Sequence, residues 1–217
     1  MVDIRGFGVL AQRLGPEVLS KLLDTWSAEV DRIMRHYGST AEKHIGDAVM
    51  TVWTHGAKGQ EQMEILRILR AVEEIARVTA MLDQSFILDE PLRIGAGVNT
   101  GLAAVASNQT GRAVSDFTTL GDGVNAALTL ESVAKELETD LVLGASTVEY
   151  VRAWPAAVRH FRSCETKLTG CDAPVKIWYS SFTELSRFLA EHREDLVKAT
   201  TGRTYPADRR SPLNPCR

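Results

Sequence analysis

The sequence predicts an α+β or α/β fold in which amphipathic helices cover a mixed β-sheet. Long segments with apolar residues at helical spacing alternate along the chain with short β-type runs. The chain has 217 residues, of which 44% are hydrophobic and 24% charged. This composition is typical of a soluble globular protein, and the length suffices for one large core. Helices of this kind pack their apolar faces on a sheet in most mixed folds.

The first half of the chain predicts two helices separated by a hairpin. A helix opens at Gly15-Pro16, because proline in the first turn lacks only an N–H that would have no partner there, and apolar residues then recur at helical spacing. The β-type runs 41–45 and 48–53 are split by Gly46-Asp47, which predicts a hairpin turn. A second amphipathic helix is expected over 59–84.

The second half predicts short strands around one more long helix. The β-type runs are 92–99, 102–106, 117–120, 140–144, 158–161 and 175–179. Helices are expected over 121–137 and 183–198, and the polar segment 107–115 predicts a loop or arm. The expected organisation is therefore a globular domain over 1–182, a C-terminal helix over 183–199 and a disordered tail over 200–217, which has no hydrophobic periodicity.

Charge and cysteine content exclude several classes of protein. The net charge of −3 argues against a nucleic-acid binder that works through bulk basicity. No apolar run approaches the ~18 residues of a membrane span, and no apolar segment of a signal peptide follows the start. The three cysteines form neither a disulfide framework nor a zinc spacing, which favours the reducing cytoplasm.

Two aspartates stand where chemistry could occur. Asp3 lies at the end of a β-type run and Asp47 at the hairpin turn, where a carboxylate projects freely. Two carboxylates and a backbone carbonyl form the hard oxygen site that Mg²⁺ takes when it also holds substrate phosphates. The alternative is that Asp3 caps a turn and that Asp47 is a turn former, which is a routine role for aspartate beside glycine.

A third candidate, Asn125, lies near the start of the helix predicted over 121–137, after two glycines. A helix N-terminus of this type favours anions, and an asparagine there could donate to a sugar or phosphate oxygen. The alternative is that Asp122 or Asn125 only caps the helix.

Four motifs, taken in order, resemble the class III nucleotidyl cyclases. They are DIRGF at 3–7, KHIGDAVM at 43–50, RIGAGVNTG at 93–101 and DFTTLGDGVN at 116–125. The resemblance extends over about residues 2 to 181. It implies a ferredoxin-like βαββαβ core that acts as a head-to-tail dimer, with active sites in the groove between two chains.

The resemblance implies a metal-dependent reaction. Asp3 and Asp47 match the two metal aspartates of the family, and the carbonyl of Ile4 matches a further ligand. Two Mg²⁺ or Mn²⁺ ions would activate the ribose 3′-hydroxyl for attack on the α-phosphate, so that ATP gives 3′,5′-cyclic AMP and pyrophosphate.

The resemblance also assigns base and ribose contacts, which come from the partner chain. Lys43 and Thr118 match the two base-selecting positions, and Asn125 matches the asparagine that orients the ribose. A lysine can donate to N1 of adenine but meets a donor at N1 of guanine, so ATP is favoured over GTP. A guanylyl cyclase is accordingly the weaker expectation.

Two cationic positions of the family hold threonine in this chain. Thr129 stands where the family has the arginine that stabilises charge in the transition state, and Thr169 where it has a phosphate-binding lysine. Lys167 and Arg112 are the candidate substitutes. We therefore expect either a slow adenylyl cyclase or a degenerate domain that binds nucleotide or dimerises, as a homodimer or with another cyclase chain.

Two further expectations follow from the resemblance. The first strand of the family is longer than the two residues that precede Asp3, which suggests a fragment or a start assigned too late. The arm at 107–115 and the surroundings of Trp26 and Trp53 are expected to help form the dimer interface.

Overall fold

The structure, a computed structural model, describes residues 1–54, 61–86, 88–101, 104–107, 117–120, 122–168 and 173–195, with the backbone alone for 104–107, 117–120 and 122. The helices are α1 (Phe7–Arg13), α2 (Pro16–His36), α3 (Glu61–Phe86), α4 (Asp122–Glu136), α5 (Ala145–Val151), α6 (Ala157–His160) and α7 (Phe182–Glu191). The strands are β1 (Val2–Ile4), β2 (Ala41–Ile45), β3 (Ala48–Val52), β4 (Ile94–Val98), β5 (Ala104–Ser107), β6 (Phe117–Leu120), β7 (Leu141–Leu143), β8 (Arg162–Thr166) and β9 (Val175–Ser180).

Seven strands form one mixed sheet in the order β2-β3-β1-β4-β7-β9-β8. The β4–β7 pair is parallel, and the other pairs of this sheet are antiparallel. The segment β1-α2-β2-β3-α3-β4 has the βαββαβ order of a ferredoxin-like core, so the predicted α+β fold is confirmed. A separate two-stranded sheet pairs β5 with β6, and β6 lies alongside β2 at the edge of the large sheet.

Helices cover both faces of the large sheet. The larger core lies between the sheet and helices α2, α3 and α7, whereas α4 packs on the opposite face. Strand β7 contributes side chains to both cores. Leu141 and Leu143 belong to the larger core, and Val142 between them belongs to the core under α4. Successive side chains of a strand point to opposite faces, so one apolar run supplies both cores.

The expected strand at 158–161 is wrong. Residues 157–160 form the short helix α6, in which Val158 is 71% exposed, and strand β8 follows at 162–166. Strand β8 lies at the edge of the sheet and pairs only with β9 among the described strands. Its side chains are mostly exposed and polar, so it lacks the apolar alternation that predicts a strand.

Other differences concern helices. Helices α1 and α5 were not predicted from the sequence, since they are seven residues long and α1 buries no side chain fully. The last helix begins as expected, where the Ser181 hydroxyl accepts from the Glu184 N–H at 3.2 Å, and α7 ends at Glu191. Residues 193–195 are helical again, and the expected range beyond 195 lies outside the described residues. The expected tail at 200–217 lies outside the described residues.

Trp26 corrects the expected dimer interface. Its side chain is 0% exposed in the single chain, and its Nε1 donates to the hydroxyl of Thr79 at 2.9 Å. A side chain enclosed by α2 and α3 in this way cannot line a surface between two chains. Trp53 is partly buried and donates to the carbonyl oxygen of Tyr37 at 3.0 Å. Over the residues described, no helix has both the length and the apolarity needed to cross a membrane.

Candidate active site

The two candidate metal aspartates lie beside each other at the centre of the large sheet. Asp3 on β1 lies opposite Ala48, the residue that directly follows Asp47. The Ile4 N–H donates to the carbonyl oxygen of Asp47 at 3.2 Å. Gly46 adopts a φ of 63° in the turn between β2 and β3, a conformation that suits glycine. The turn thus places Asp47 beside the end of β1, although 43 residues separate it from Asp3 in the chain.

Burial and the neighbouring negative charges make ionisation of Asp3 unfavourable. Burial is the largest cause that raises the pKa of its carboxyl to about 6, and the negative charges of Glu131 and Asp47 raise it further. The positive charges of Arg5 and Lys135 act in the opposite direction. Asp3 and Asp47 are therefore close enough to repel each other, and a positive charge bound between them would relieve that repulsion.

The donor chemistry fits Mg²⁺ or Mn²⁺. The N–H and C=O of a residue in an antiparallel strand point to the same side, so the Ile4 carbonyl, like its N–H, faces the hairpin that carries Asp47. Within the described parts of the chain, no group of three or more His, Cys, Asp and Glu side chains could hold a metal. Two carboxylates and a carbonyl fill only part of the octahedral shell of Mg²⁺, so positions would remain for water and for substrate oxygens.

The sequence motifs did not identify an ion pair that lies beneath Asp3. Arg5 Nη1 contacts Glu131 Oε1 of α4 at 3.0 Å, and both side chains are largely buried. The Arg5 guanidinium lies over Gly95, where a Cβ would collide with it. At Gly97 a Cβ would collide with the backbone of α4. The alternation of glycine in the IGAGV run of β4 is the signal that could have indicated this close approach.

The two base-selecting candidates lie on neighbouring strands. Lys43 pairs with Met50 in the β2–β3 hairpin, and its side chain is half-buried. Strand β6, which lies alongside β2, carries Thr118 in register with Ala106 of β5. Only the backbone of Thr118 is described. The tertiary structure brings these two positions to one edge of the large sheet, on strands that are far apart in sequence.

Helix α4 presents Asn125 and Thr129 one turn apart. The side chain of Asn125 is exposed in the first turn, whereas Thr129 is partly buried. The Thr129 hydroxyl donates to the carbonyl oxygen of Asn125 at 2.9 Å. The position that holds an arginine in the family is thus occupied by a neutral group bonded to its own helix.

The candidate substitute cations lie elsewhere or outside the described residues. Lys167 is exposed and follows β8 at the far edge of the sheet, several strands from β1. Thr169 and Arg112 are not among the described residues.

Comparison with known proteins points to one family. A family model for the adenylate and guanylate cyclase catalytic domain matches residues 1–170 of the chain. An adenylate cyclase of Anabaena cylindrica is 22% identical over 177 residues, which cover 81% of this chain and 35% of that protein. The chain thus spans about a third of the length of this relative, 35%.

Solved structures agree with the family model. The crystal structure of the adenylyl cyclase CyaB from P. aeruginosa is similar with a TM-score of 0.66 at 24% identity, over 82% of this chain and 90% of that chain. The guanylate cyclase domain of RhGC from Catenaria anguillulae in complex with GTP is similar with a TM-score of 0.62 at 18% identity. The similarity covers 83% of this chain and 92% of that chain. Identities this low establish the fold alone. The match of the family model over 1–170, on a chain with this sheet order, shows that the chain belongs to the family of adenylate and guanylate cyclase catalytic domains.

Proposed function

We propose that a dimer of this chain converts ATP to 3′,5′-cyclic AMP and pyrophosphate, at a low rate. The observation that carries the proposal is the adjacency of Asp3 and Asp47 at the centre of the sheet, where the Ile4 N–H donates to the Asp47 carbonyl. Burial, the charge of Glu131 and then the charge of Asp47 raise the pKa of Asp3 to about 6 there. A protein without a cation to bind has little reason to place two carboxylates together at such a cost.

Asp3, Asp47 and the Ile4 carbonyl are the residues that would hold two Mg²⁺ or Mn²⁺ ions. When bound, such ions supply the positive charge that makes the ribose 3′-hydroxyl a nucleophile and neutralises the phosphates. The chain itself contributes the rigid position of these oxygens, because β1 is held on both sides by β3 and β4. The Arg5–Glu131 pair supports this position from the α4 side.

Lys43 favours ATP as the substrate. Similar folds occur in an adenylyl cyclase and in a guanylate cyclase domain bound to GTP, so the fold does not choose the base. Lys43, with Thr118 on the adjacent strand, would donate to N1 of adenine, whereas guanine would leave the lysine without an acceptor. Asn125 of the same chain would orient the ribose from the exposed start of α4.

The low rate follows from Thr129. Its hydroxyl is committed to the Asn125 carbonyl and carries no charge, so it cannot stabilise the charge that develops on the phosphates. Loss of one preorganised donor costs about 10²–10³ in rate. The same observation favours a second candidate function, in which the domain binds nucleotide and dimerises, with itself or with a competent cyclase chain, but turns over negligibly.

Production of cyclic AMP by the purified protein tests the proposal. ATP or GTP is supplied with Mn²⁺, and wild type is compared with Asp47→Asn. We expect slow formation of cyclic AMP that Asp47→Asn abolishes and that exceeds formation of cyclic GMP. Binding of ATP without any Asp47-dependent product would support the second candidate instead. A faster reaction with GTP would contradict the assignment of Lys43.

A further inference from the structure

The strand that carries Lys43 has little apolar packing of its own. Strand β2 lies at the edge of the large sheet and pairs with β3 alone among the described strands of that sheet. None of its five side chains is fully buried, whereas residues 48–50 of β3 are. Because a strand at an edge is bonded on one side only, the position of β2 depends on whatever other contacts hold it.

Two side chains of β2 supply such contacts, and both reach helix α2. His44 lies opposite Val49, which belongs to the larger core, so His44 and Glu42 face the helices that cover this core. His44 Nε2 lies 2.8 Å from Asp31 Oδ1. Glu42 Oε2 lies 3.7 Å from Arg35 Nε. The edge strand is thus joined to α2 at two alternate residues.

The contacts form one network, which we call the edge network and which consists of Asp31, Arg35, Glu42 and His44. Asp31 and Arg35 lie one turn apart on α2, where Arg35 Nη2 contacts Asp31 Oδ2 at 3.2 Å. Asp31 therefore gives one carboxylate oxygen to Arg35 and the other to His44. A carboxylate accepts only, so His44 Nε2 donates. Single exposed ion pairs contribute little to stability, but contacts at two points restrain the height and tilt of a strand on a helix.

Lys43 lies between the two β2 residues of the edge network and points to the opposite face of the sheet. It lies opposite Met50 of β3, and Asp3 lies opposite Ala48 of the same strand. Since alternate residues of a strand share a face, Lys43 and Asp3 lie on one face of the sheet. The edge network on the other face therefore restrains the backbone from which Lys43 extends.

We propose that Asp31 and His44 are positioning residues for base selection, which hold β2 on α2 so that Lys43 meets the base at a fixed place. The proposal rests on the proposed function, in which Lys43 donates to N1 of adenine. Neither residue contacts the nucleotide, because both lie on the α2 face. A displaced lysine would still offer its charge to a nucleotide but would lose the aligned donation that distinguishes adenine from guanine. The two residues thus act on selectivity through Lys43.

Variants of the full chain test the proposal. Asp31→Ala and His44→Ala each break the contact between β2 and α2, whereas His44→Gln keeps a side-chain N–H donor for Asp31. The control is Glu29→Ala, which removes a 2.9 Å contact with Arg32 inside α2 that does not involve β2. Competition between ATP and GTP for the Mn²⁺-loaded protein gives the ratio of affinities. Amide hydrogen exchange over residues 41–45 reports the hold on β2.

We expect Asp31→Ala and His44→Ala each to lower the ratio of ATP to GTP affinity by at least about threefold, because a small displacement of a positioned group weakens its contact. Exchange over 41–45 should become faster in both variants. The double variant should lower the ratio no further than either single variant, since both remove the same contact. His44→Gln and Glu29→Ala should keep the wild-type ratio and exchange.

Two results would overturn the proposal. The first is a wild-type ratio in both alanine variants while Lys43→Glu changes it, which would leave the role of Lys43 intact and remove only that of the edge network. The second is a lowered ratio without faster exchange over 41–45, which would mean that Asp31 or His44 acts other than by holding β2. A ratio that Lys43→Glu leaves unchanged would overturn both this proposal and the proposed role of Lys43.

Discussion

The hydroxyl of Thr129 donates a 2.9 Å hydrogen bond to the backbone carbonyl of Asn125, one turn earlier in α4. The resemblance of the sequence motifs matches these two positions to a ribose-orienting asparagine and a charge-stabilising arginine. In this chain the Thr129 hydroxyl bonds to a carbonyl of its own helix and offers no charge to a substrate. This relationship determines the rate that we expect.

Thr129→Arg should raise the rate of cyclic AMP formation by at least about tenfold with little change in ATP affinity, because the cation would act mainly in the transition state. Ser132→Arg is the matched control, since the Ser132 hydroxyl also donates to the carbonyl four residues earlier. Steady-state kinetics separate kcat from KM. A brisk wild type that Lys167→Ala cripples would instead identify Lys167 as the cation and leave Thr129→Arg without benefit.

Mn²⁺ should raise the thermal midpoint of the wild type, and Asp47→Asn should remove this effect. In metal-free protein the same variant should be at least as stable as wild type, since it removes the charge that repels Asp3. The pair of results separates loss of binding from loss of folding. Asp24→Asn, at an exposed position of α2, is the control. An unchanged response of Asp47→Asn to Mn²⁺ would place the metal elsewhere.

Lys43→Glu should abolish the preference for ATP over GTP, because a carboxylate cannot donate to N1 of adenine but can accept from N1 of guanine. Competition between the two nucleotides for the Mn²⁺-loaded protein measures the preference. Lys21→Glu changes the charge equally at an exposed position of α2. If Lys43→Glu keeps the wild-type ratio while binding is retained, Lys43 does not read the base.

Mixing two inactive variants should restore activity if the sites lie between chains. Asp47→Asn retains the base and ribose residues and Asn125→Ala retains the metal aspartates, so a mixed dimer contains one intact site. Random exchange of equal amounts should then recover about a quarter of the wild-type rate. Each variant alone, at the same total concentration, provides the baseline. No recovery from a mixture that sedimentation shows to contain dimers would indicate that each site belongs to one chain.

The stability of the α6–α7 contact should depend on pH in a defined direction. Hydrogen bonds from His160 and then from Arg159 lower the pKa of the Glu191 carboxyl. A carboxyl with a lowered pKa contributes stability above its unfolded value, about 4.5, and loses it as the pH falls through the folded value. Glu191→Gln should therefore lower the thermal midpoint by about 1–3 °C near pH 7, and the effect should shrink as the pH falls below the unfolded value of about 4.5. Glu149→Gln is the exposed control, and an effect of Glu191→Gln that does not shrink as the pH is lowered would contradict the assignment.

Local patterns in the sequence were sufficient for most of the elements. The hairpin at Gly46-Asp47, the long helices and the buried strands each carry a signal within about 25 residues, namely turn chemistry or apolar periodicity. The motifs were sufficient for the family and hence for the ferredoxin-like α+β core. Strand β8 and helix α6 were assigned wrongly because an edge strand with exposed side chains has no such local pattern.

The tertiary structure decided what depends on distant neighbours. The surroundings of Trp26 were expected to help form an interface from the family resemblance, but packing of α2 on α3 encloses the Trp26 side chain and pairs it with Thr79. The Arg5–Glu131 pair requires the approach of α4 to Gly97, and the alternate glycines of β4 indicate a close approach without specifying which helix makes it. Sequence alone thus determined the long helices and the buried strands, because propensity and periodicity are local. The charge environment of Asp3 depended on tertiary structure, because burial and repulsion depend on residues that only folding brings together.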